Sequence, residues 1–199
     1  MVLPEAILLA AGQSTRFGSH KLLHQFALNG RTQPLIFHTL DCWFNAFNRL
    51  TVAVNHQDSA LITCLESYTA AEGDELKLVP VQNAQQGMGV SLATAITATQ
   101  HAASWVVGLA DMPKVPVSVL HAVRAHLING RSLVAPFYQT QRGHPVGFAA
   151  SYRDDLLTLT ADKGARDILS QHAQHLIKIY TEDKGVVWDV DTLADLQGC

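Results

Sequence analysis

Two sets of residues in this chain have the types and spacing to handle phosphate and a metal ion. The first is the run Leu9-Ala10-Ala11-Gly12-Gln13-Ser14-Thr15-Arg16-Phe17-Gly18-Ser19-His20-Lys21. Gly12 and Gly18 let the backbone approach a ligand closely and take positive φ. Ser14 and Thr15 add hydroxyl donors, Arg16 a planar fork for phosphate oxygens, and Lys21 a mobile point charge. Successive amides in such a turn can form an anion-binding nest. Spacing excludes two common phosphate loops. A GxxxxGK loop fails because Gly12 and Gly18 are six apart and Ser19 follows. The dinucleotide pattern GxGxxG fails here and at Gly87-Met88-Gly89, where Leu92 replaces the third glycine. A generic glycine- and serine-rich loop is the competing reading.

The second set is acidic. Asp111 ends the apolar run Ser104–Leu109 in Leu109-Ala110-Asp111-Met112-Pro113, where a carboxylate can hold a hard cation or cap the next turn. Asp189 and Asp191 lie two apart in Trp188-Asp189-Val190-Asp191-Thr192, on one face if the segment is a strand. Capping of a last helix by Asp191 or Thr192 is the alternative.

The elements that must position these groups follow from apolar periodicity. Strands are expected at Glu5–Leu9, Leu50–Val54, Lys77–Val81, Ser104–Leu109 and Leu133–Tyr138. Helices are expected at Pro34–Phe47, Ser59–Tyr68, Met88–Thr99 and Val117–Leu127. Alternating strands and helices imply right-handed crossovers and a largely parallel sheet covered on both faces, a three-layer αβα, Rossmann-like fold. Beyond Tyr138 the pattern predicts strands at Gly143–Ala149, Leu176–Tyr180 and Gly185–Val190. It also predicts helices near Asp154–Leu159, Gly164–His172 and Thr192–Leu196, adding a mixed edge to the same sheet. The connection from Ala10 to about Gln33 is long for an α/β unit, and such loops usually carry function. It leaves the carboxyl end of a strand, where ligands of open α/β sheets bind.

Bulk properties narrow the class. The chain has 199 residues, 48% of them apolar and 16% charged, which fits one globular domain spanning 1–199. A net charge of −3 argues against nucleic-acid or anionic-membrane partners. No signal peptide or membrane span is read in the sequence. Cys42, Cys64 and Cys199 form no CxxC pair, so free thiols in a reducing cytoplasm are expected. The ten histidines are scattered, and none is given a metal role.

LAAGQSTRFGSHKLL is similar to the nucleotidyltransferase superfamily signature LAAGxSxRMGxxK, with Phe17 in place of methionine. That resemblance implies that Leu9, Ala10, Ala11, Gly12, Ser14 and Gly18 wrap a nucleoside triphosphate while Arg16 and Lys21 stabilise charge during attack on its α-phosphate. It implies that Asp111 and Asp191 hold Mg²⁺, with Asp189 the alternative to Asp191. Gly87-Met88-Gly89-Val90-Ser91-Leu92, Arg142-Gly143-His144-Pro145-Val146, Asp162-Lys163-Gly164-Ala165-Arg166 and the DxDT segment resemble those of the molybdenum cofactor cytidylyltransferase (MocA-like) group of the MobA-like superfamily. Ala161 stands where that group has a leading glycine. By this resemblance Gly87, Gly89 and Ser91 face the base and ribose, and Arg142, His144 and Arg166 bind the acceptor, with tight helix packing, a structural turn and a solvated helix start as the bland readings. Residues 1–115 would form the nucleotide half and 116–199 the acceptor half. The guanylyltransferase counterpart has a second glycine at the position of Ala11, whose methyl group favours CTP over GTP. The implied reaction joins CTP to a molybdopterin-type cofactor and releases pyrophosphate, with transient contact to a molybdenum oxidoreductase or its chaperone. Alternatives are another phosphorylated acceptor, GTP as donor, or a non-catalytic cofactor carrier.

Overall fold

A computed structural model describes residues 3–12, 17–18, 20–160 and 165–196. Arg16, Ser14, Lys163 and Cys199 lie outside the described residues. The central sheet runs in the order β10-β7-β9-β6-β1-β4-β5. Its strands are β1 (Glu5–Leu9), β4 (Arg49–Asn55), β5 (Glu75–Val81), β6 (Ser104–Leu109), β7 (Leu133–Tyr138), β9 (Val146–Ala149) and β10 (Leu176–Thr181). β8 (Gln141–Arg142) pairs with β7. Strands β1, β4, β5 and β6 are mutually parallel, β10 is parallel to β7, and β9 runs antiparallel between β6 and β7.

Alternation along each strand feeds two cores. Ala6 and Leu8 of β1 point into one with Leu35, Leu40 and Trp43 of α1 (Leu35–Phe44), Leu61 of α2 (Ser59–Glu66) and Leu120 of α4 (Val117–Ile128). Ile7 points into the other with Leu92 and Ile96 of α3 (Met88–Ala98), Leu156 of α5 (Arg153–Leu157) and Ile168 of α6 (Arg166–Gln171). Both faces are therefore covered, which explains why the central strands read as unbroken apolar runs. The expected three-layer αβα architecture is the one observed.

The mixed edge expected of the C-terminal half is present, with β9 antiparallel between β6 and β7 and β10 parallel to β7. Four expectations are corrected. Gly143–Pro145 form a turn, and only Val146–Ala149 are strand. The long connection holds a 3₁₀ turn (Lys21–Leu23) and a hairpin of β2 (Gln25–Leu28) with β3 (Arg31–Pro34). Asn29 and Gly30 have φ of 52° and 77°, both left-handed as a two-residue type I′ turn requires. Finally, Gly185–Val190 is not a strand. Its backbone groups bond a neighbouring loop and its own 3₁₀ turn (Lys184–Val186), leaving no ladder to join. The last segment is likewise a 3₁₀ turn (Leu193–Leu196), not a helix.

Candidate active site

The chain runs from β1 through α1 to β4 on one side of β1, then returns after β5 and α3 to β6 on the other. The crevice between β1 and β6 is thus the switch point, the place such sheets bind ligands. Their ends are stitched together there. The Ala110 amide donates to the Leu9 carbonyl at 3.1 Å, and the Ala10 amide donates to Ala53 at 2.9 Å. The buried Thr39 hydroxyl donates to the Ala110 carbonyl at 2.8 Å, fixing the residue before Asp111.

A cavity of about 390 Å³ opens over this crevice. Leu9, Ala10, Ala11 and Gly12 form one wall, and Gly87 and Ser91 at the start of α3 form another; Lys21 and Asp111 also line it. Gly18 and Gly89 do not line it. Gly18 has the positive φ expected of it (76°) and Gly89 is buried, whereas Gly12 is not in the left-handed region. Ala11 is 3% exposed and belongs to the core shared with Ile7. Sequence reasoning missed Leu22, Gln85 and Met88 as lining residues. Met88 lies between Gly87 and Gly89, which was the signal the sequence offered for it.

Lys21 Nζ lies 2.7 Å from Asp111 Oδ2 and 3.5 Å from Asp191 Oδ1, with its side chain 12% exposed. Oxygens of Asp111, Asp189 and Asp191 fall within 4.8 Å of one another. Three carboxylates so close are a hard-cation donor set. Asp111 Oδ1 is buried without a hydrogen-bond partner among the described residues, an acceptor position that a cation would satisfy. The residues present therefore fit a divalent ion. Partial burial raises the pKa of Asp189, and the charges of Asp111 and Asp191 raise it further.

The strap of residues 183–191 brings the two later carboxylates to Asp111. The Val190 amide donates to the Asp111 carbonyl at 3.1 Å. Asp183 Oδ1 accepts the Gly185 amide at 2.7 Å, setting the turn. A Cβ on Gly185 would meet the Lys114 carbonyl oxygen at 2.0 Å, and one on Gly143 would meet that of Val186 at 2.2 Å. Both glycines are there so that backbones can touch. Asp195, unnoticed in the sequence, accepts the amides of Asp191 (3.0 Å) and Thr192 (2.7 Å) through Oδ2. The Thr192 amide and hydroxyl, then the Asp191 amide, hold its pKa below the usual carboxylate value. Asp195 thus reaches back from within the turn to the amides that precede it, and the Thr192 hydroxyl donates to it at 3.0 Å.

Arg142, His144 and Arg166 do not line the cavity. They form a separate basic group whose charges reach one another and Asp111. Burial, then the charge of Arg166, lowers the Arg142 pKa. Burial, then Arg142, pushes His144 down to about 4, against the opposing pull of Asp111 and a Val107 backbone hydrogen bond. Arg142 Nε and His144 Nδ1 are buried with no partner among the described residues. His144 is therefore a neutral group near neutral pH, within electrostatic reach of both Arg142 and Asp111.

The fold recurs in solved structures. Rv0371c from Mycobacterium tuberculosis H37Rv superposes with a TM-score of 0.80 at 24% identity, over 99% of this chain and 96% of that one. Its complex with manganese gives 0.74 at 22% identity, over 98% and 97%. A nucleotidyl transferase from Methanothermobacter thermautotrophicus gives 0.78 at 18% identity, over 98% and 95%. Molybdopterin-guanine dinucleotide biosynthesis protein A from Archaeoglobus fulgidus gives 0.62 at 18% identity, over 98% and 95%. At these identities the likeness establishes the fold. No curated protein matches the sequence. The sequence profile of the MobA-like NTP transferase domain does match, over residues 6–176. With most of its length inside that profile, this chain belongs to the MobA-like NTP transferase family.

Proposed function

We propose that this nucleotidyltransferase moves CMP from CTP to the terminal phosphate of a molybdopterin-type cofactor and releases pyrophosphate. The observation that carries the reading is the carboxylate trio around Lys21, with Lys21 and Asp111 lining the same cavity as Leu9–Gly12. A phosphate oxygen of the acceptor attacks the α-phosphorus of CTP, and the bond from that phosphorus to the β-phosphate oxygen breaks. The attacking oxygen is already ionised, so no protein base is needed. Catalysis of this kind consists of positioning and charge stabilisation.

The chain supplies both. The Leu9–Gly12 segment presents backbone to the triphosphate, and the start of α3, with Ser91, faces the nucleoside. Lys21, with Arg16, steadies the departing pyrophosphate. Asp111 and Asp191, joined by Asp189, would hold Mg²⁺ or a like cation, which when bound neutralises charge at the α-phosphate. Manganese in the Rv0371c complex supports a divalent ion here. Arg142, neutral His144 and Arg166 bind the acceptor's phosphate side, in the half formed by residues 116–199. The molybdopterin-guanine protein of A. fulgidus supports that acceptor class, and the RGHPV and GAR segments support its cytidylyl branch. Ala11 favours CTP by narrowing the wall against a purine. Free Cys42 and Cys64 suit a reducing cytoplasmic setting.

Incubation with molybdopterin-type acceptor, Mg²⁺ and each nucleoside triphosphate in turn should release pyrophosphate fastest with CTP. GTP working better would overturn the base assignment. Release with a sugar phosphate but not with the pterin would overturn the acceptor. Tight CTP binding without turnover would favour the carrier.

A further inference from the structure

We propose that His20 is a positioning residue, tied to Asp58 so that the turn it opens aims Lys21 at Asp111. The inference rests on the reading of Lys21 as the phosphate-side cation. The sequence assigns His20 no role, since it fills a variable place in the loop signature.

His20 Nε2 lies 2.7 and 2.9 Å from the two Asp58 carboxylate oxygens. A carboxylate only accepts, so the ring N–H donates. The side chains are 34% and 22% exposed, sheltered enough for a charge-assisted bond to hold a geometry. Asp58 is itself fixed. Its Oδ1 accepts the Leu61 amide at 3.1 Å, capping α2, and its own amide donates to Asn55 at 2.9 Å. The ring is thus fastened to the corner between β4 and α2, 38 residues along the chain.

On its other side His20 opens the 3₁₀ turn Lys21–Leu23, its carbonyl accepting the Leu23 amide at 3.0 Å. Leu22, 5% exposed, roots the turn in the core. Lys21 stands between these two anchors, and its ammonium reaches Asp111 at 2.7 Å. With the ring released, Leu22 alone sets the turn and the lysine regains rotamer freedom. An ångström of misplacement at a reacting charge lowers rate steeply.

The test uses His20→Ala and Asp58→Ser; serine keeps a cap on α2 but cannot reach the ring. Two readouts are taken, the rate at which an N-hydroxysuccinimide ester acylates Lys21, mapped by peptide mass spectrometry, and steady-state pyrophosphate release. Both variants should acylate Lys21 about fivefold faster and show kcat about tenfold lower, with KM for the nucleotide within roughly twofold of wild type. In a Lys21→Gln background, His20→Ala should lower the residual rate no further. Unchanged Lys21 acylation overturns the proposal whatever the kinetics. Faster acylation with unchanged kcat, or a full further loss in the Lys21→Gln background, overturns it too. Faster acylation in a chain whose wild type transfers no nucleotide supports the tether and refutes the proposed function instead.

Discussion

Replacing Gly185 by alanine tests how the site is assembled. The strap bearing Asp189 and Asp191 meets the loop after Asp111 backbone to backbone at Gly185, beside the Lys114 ammonium stacked 4.3 Å over the Trp188 ring. The added methyl would sit 2.0 Å from the Lys114 carbonyl oxygen and 3.0 Å from Asp183 Oδ1. Ordinary contact begins near 3.4 Å, so the strap must retreat by about 1.4 Å. The obstacle is backbone, so no side chain can swing away to absorb it. Overpacking of this kind costs about 1–3 kcal/mol. For a domain of this size that lowers Tm by roughly 2–12 °C. The larger effect falls on chemistry. The Val190 amide bond to the Asp111 carbonyl is lost, and two of three carboxylates leave their place beside Lys21. An ångström of misplacement costs about a hundredfold in rate. Gly185→Ala should therefore stay folded by circular dichroism and lose pyrophosphate release about a hundredfold. It should also bind Mn²⁺ more weakly in a paramagnetic titration. Wild-type turnover and Mn²⁺ affinity in the folded variant would refute the claim that this contact sets the carboxylates.

Further predictions concern other links. Asp111→Asn should lower kcat about a hundredfold or more, since it leaves Lys21 and the trio without the innermost charge; quenched-flow pyrophosphate release measures it. His144 has a folded pKa near 4, below its unfolded value, so the unfolded state alone takes up its proton as pH falls from about 6.5 to 4. Its neutrality is cost-free above that window and removes up to about 3 kcal/mol below it, so urea denaturation of His144→Gln should show a flatter acid limb than wild type. Burial, then Asp41, pushes the Cys42 thiol up to about 11, so stability held below pH 9 is lost as pH rises through 11. At pH 8 the folded protein should alkylate Cys42 about a hundredfold more slowly than an unfolded control. Gly30→Ala forces alanine into a φ of 77° and should cost about 1 kcal/mol, read as a Tm lowered by about 2–4 °C.

What the sequence disclosed depends on what each residue answers to. β1, β6 and β7 have the boundaries read from it, because strands buried on both faces announce themselves as continuous apolar runs. The β2–β3 hairpin was hidden because Gln25, Ala27, Arg31 and Thr32 are exposed and give no apolar rhythm, although Asn29-Gly30 carried the turn signal. The strap misled in the opposite direction. Val186 and Val190 are fully buried, so the segment looks like a strand, yet its amides bond a turn and a loop. Asp189 and Asp191 converge with Asp111 through that irregular backbone and not through strand alternation, so the resemblance, which offered Asp189 only as the alternative to Asp191, did not bring all three together. His20 and Asp195 act through partners on other elements or across a turn, and no local pattern marks such bonds.

The most direct measurement follows the α-phosphate of labelled CTP when wild type and Asp111→Asn are mixed with molybdopterin-type acceptor and Mg²⁺. Label appearing in the acceptor with one equivalent of pyrophosphate, and its near loss in the variant, is the predicted result. No transfer from CTP by the wild type, or equal transfer by Asp111→Asn, would contradict it.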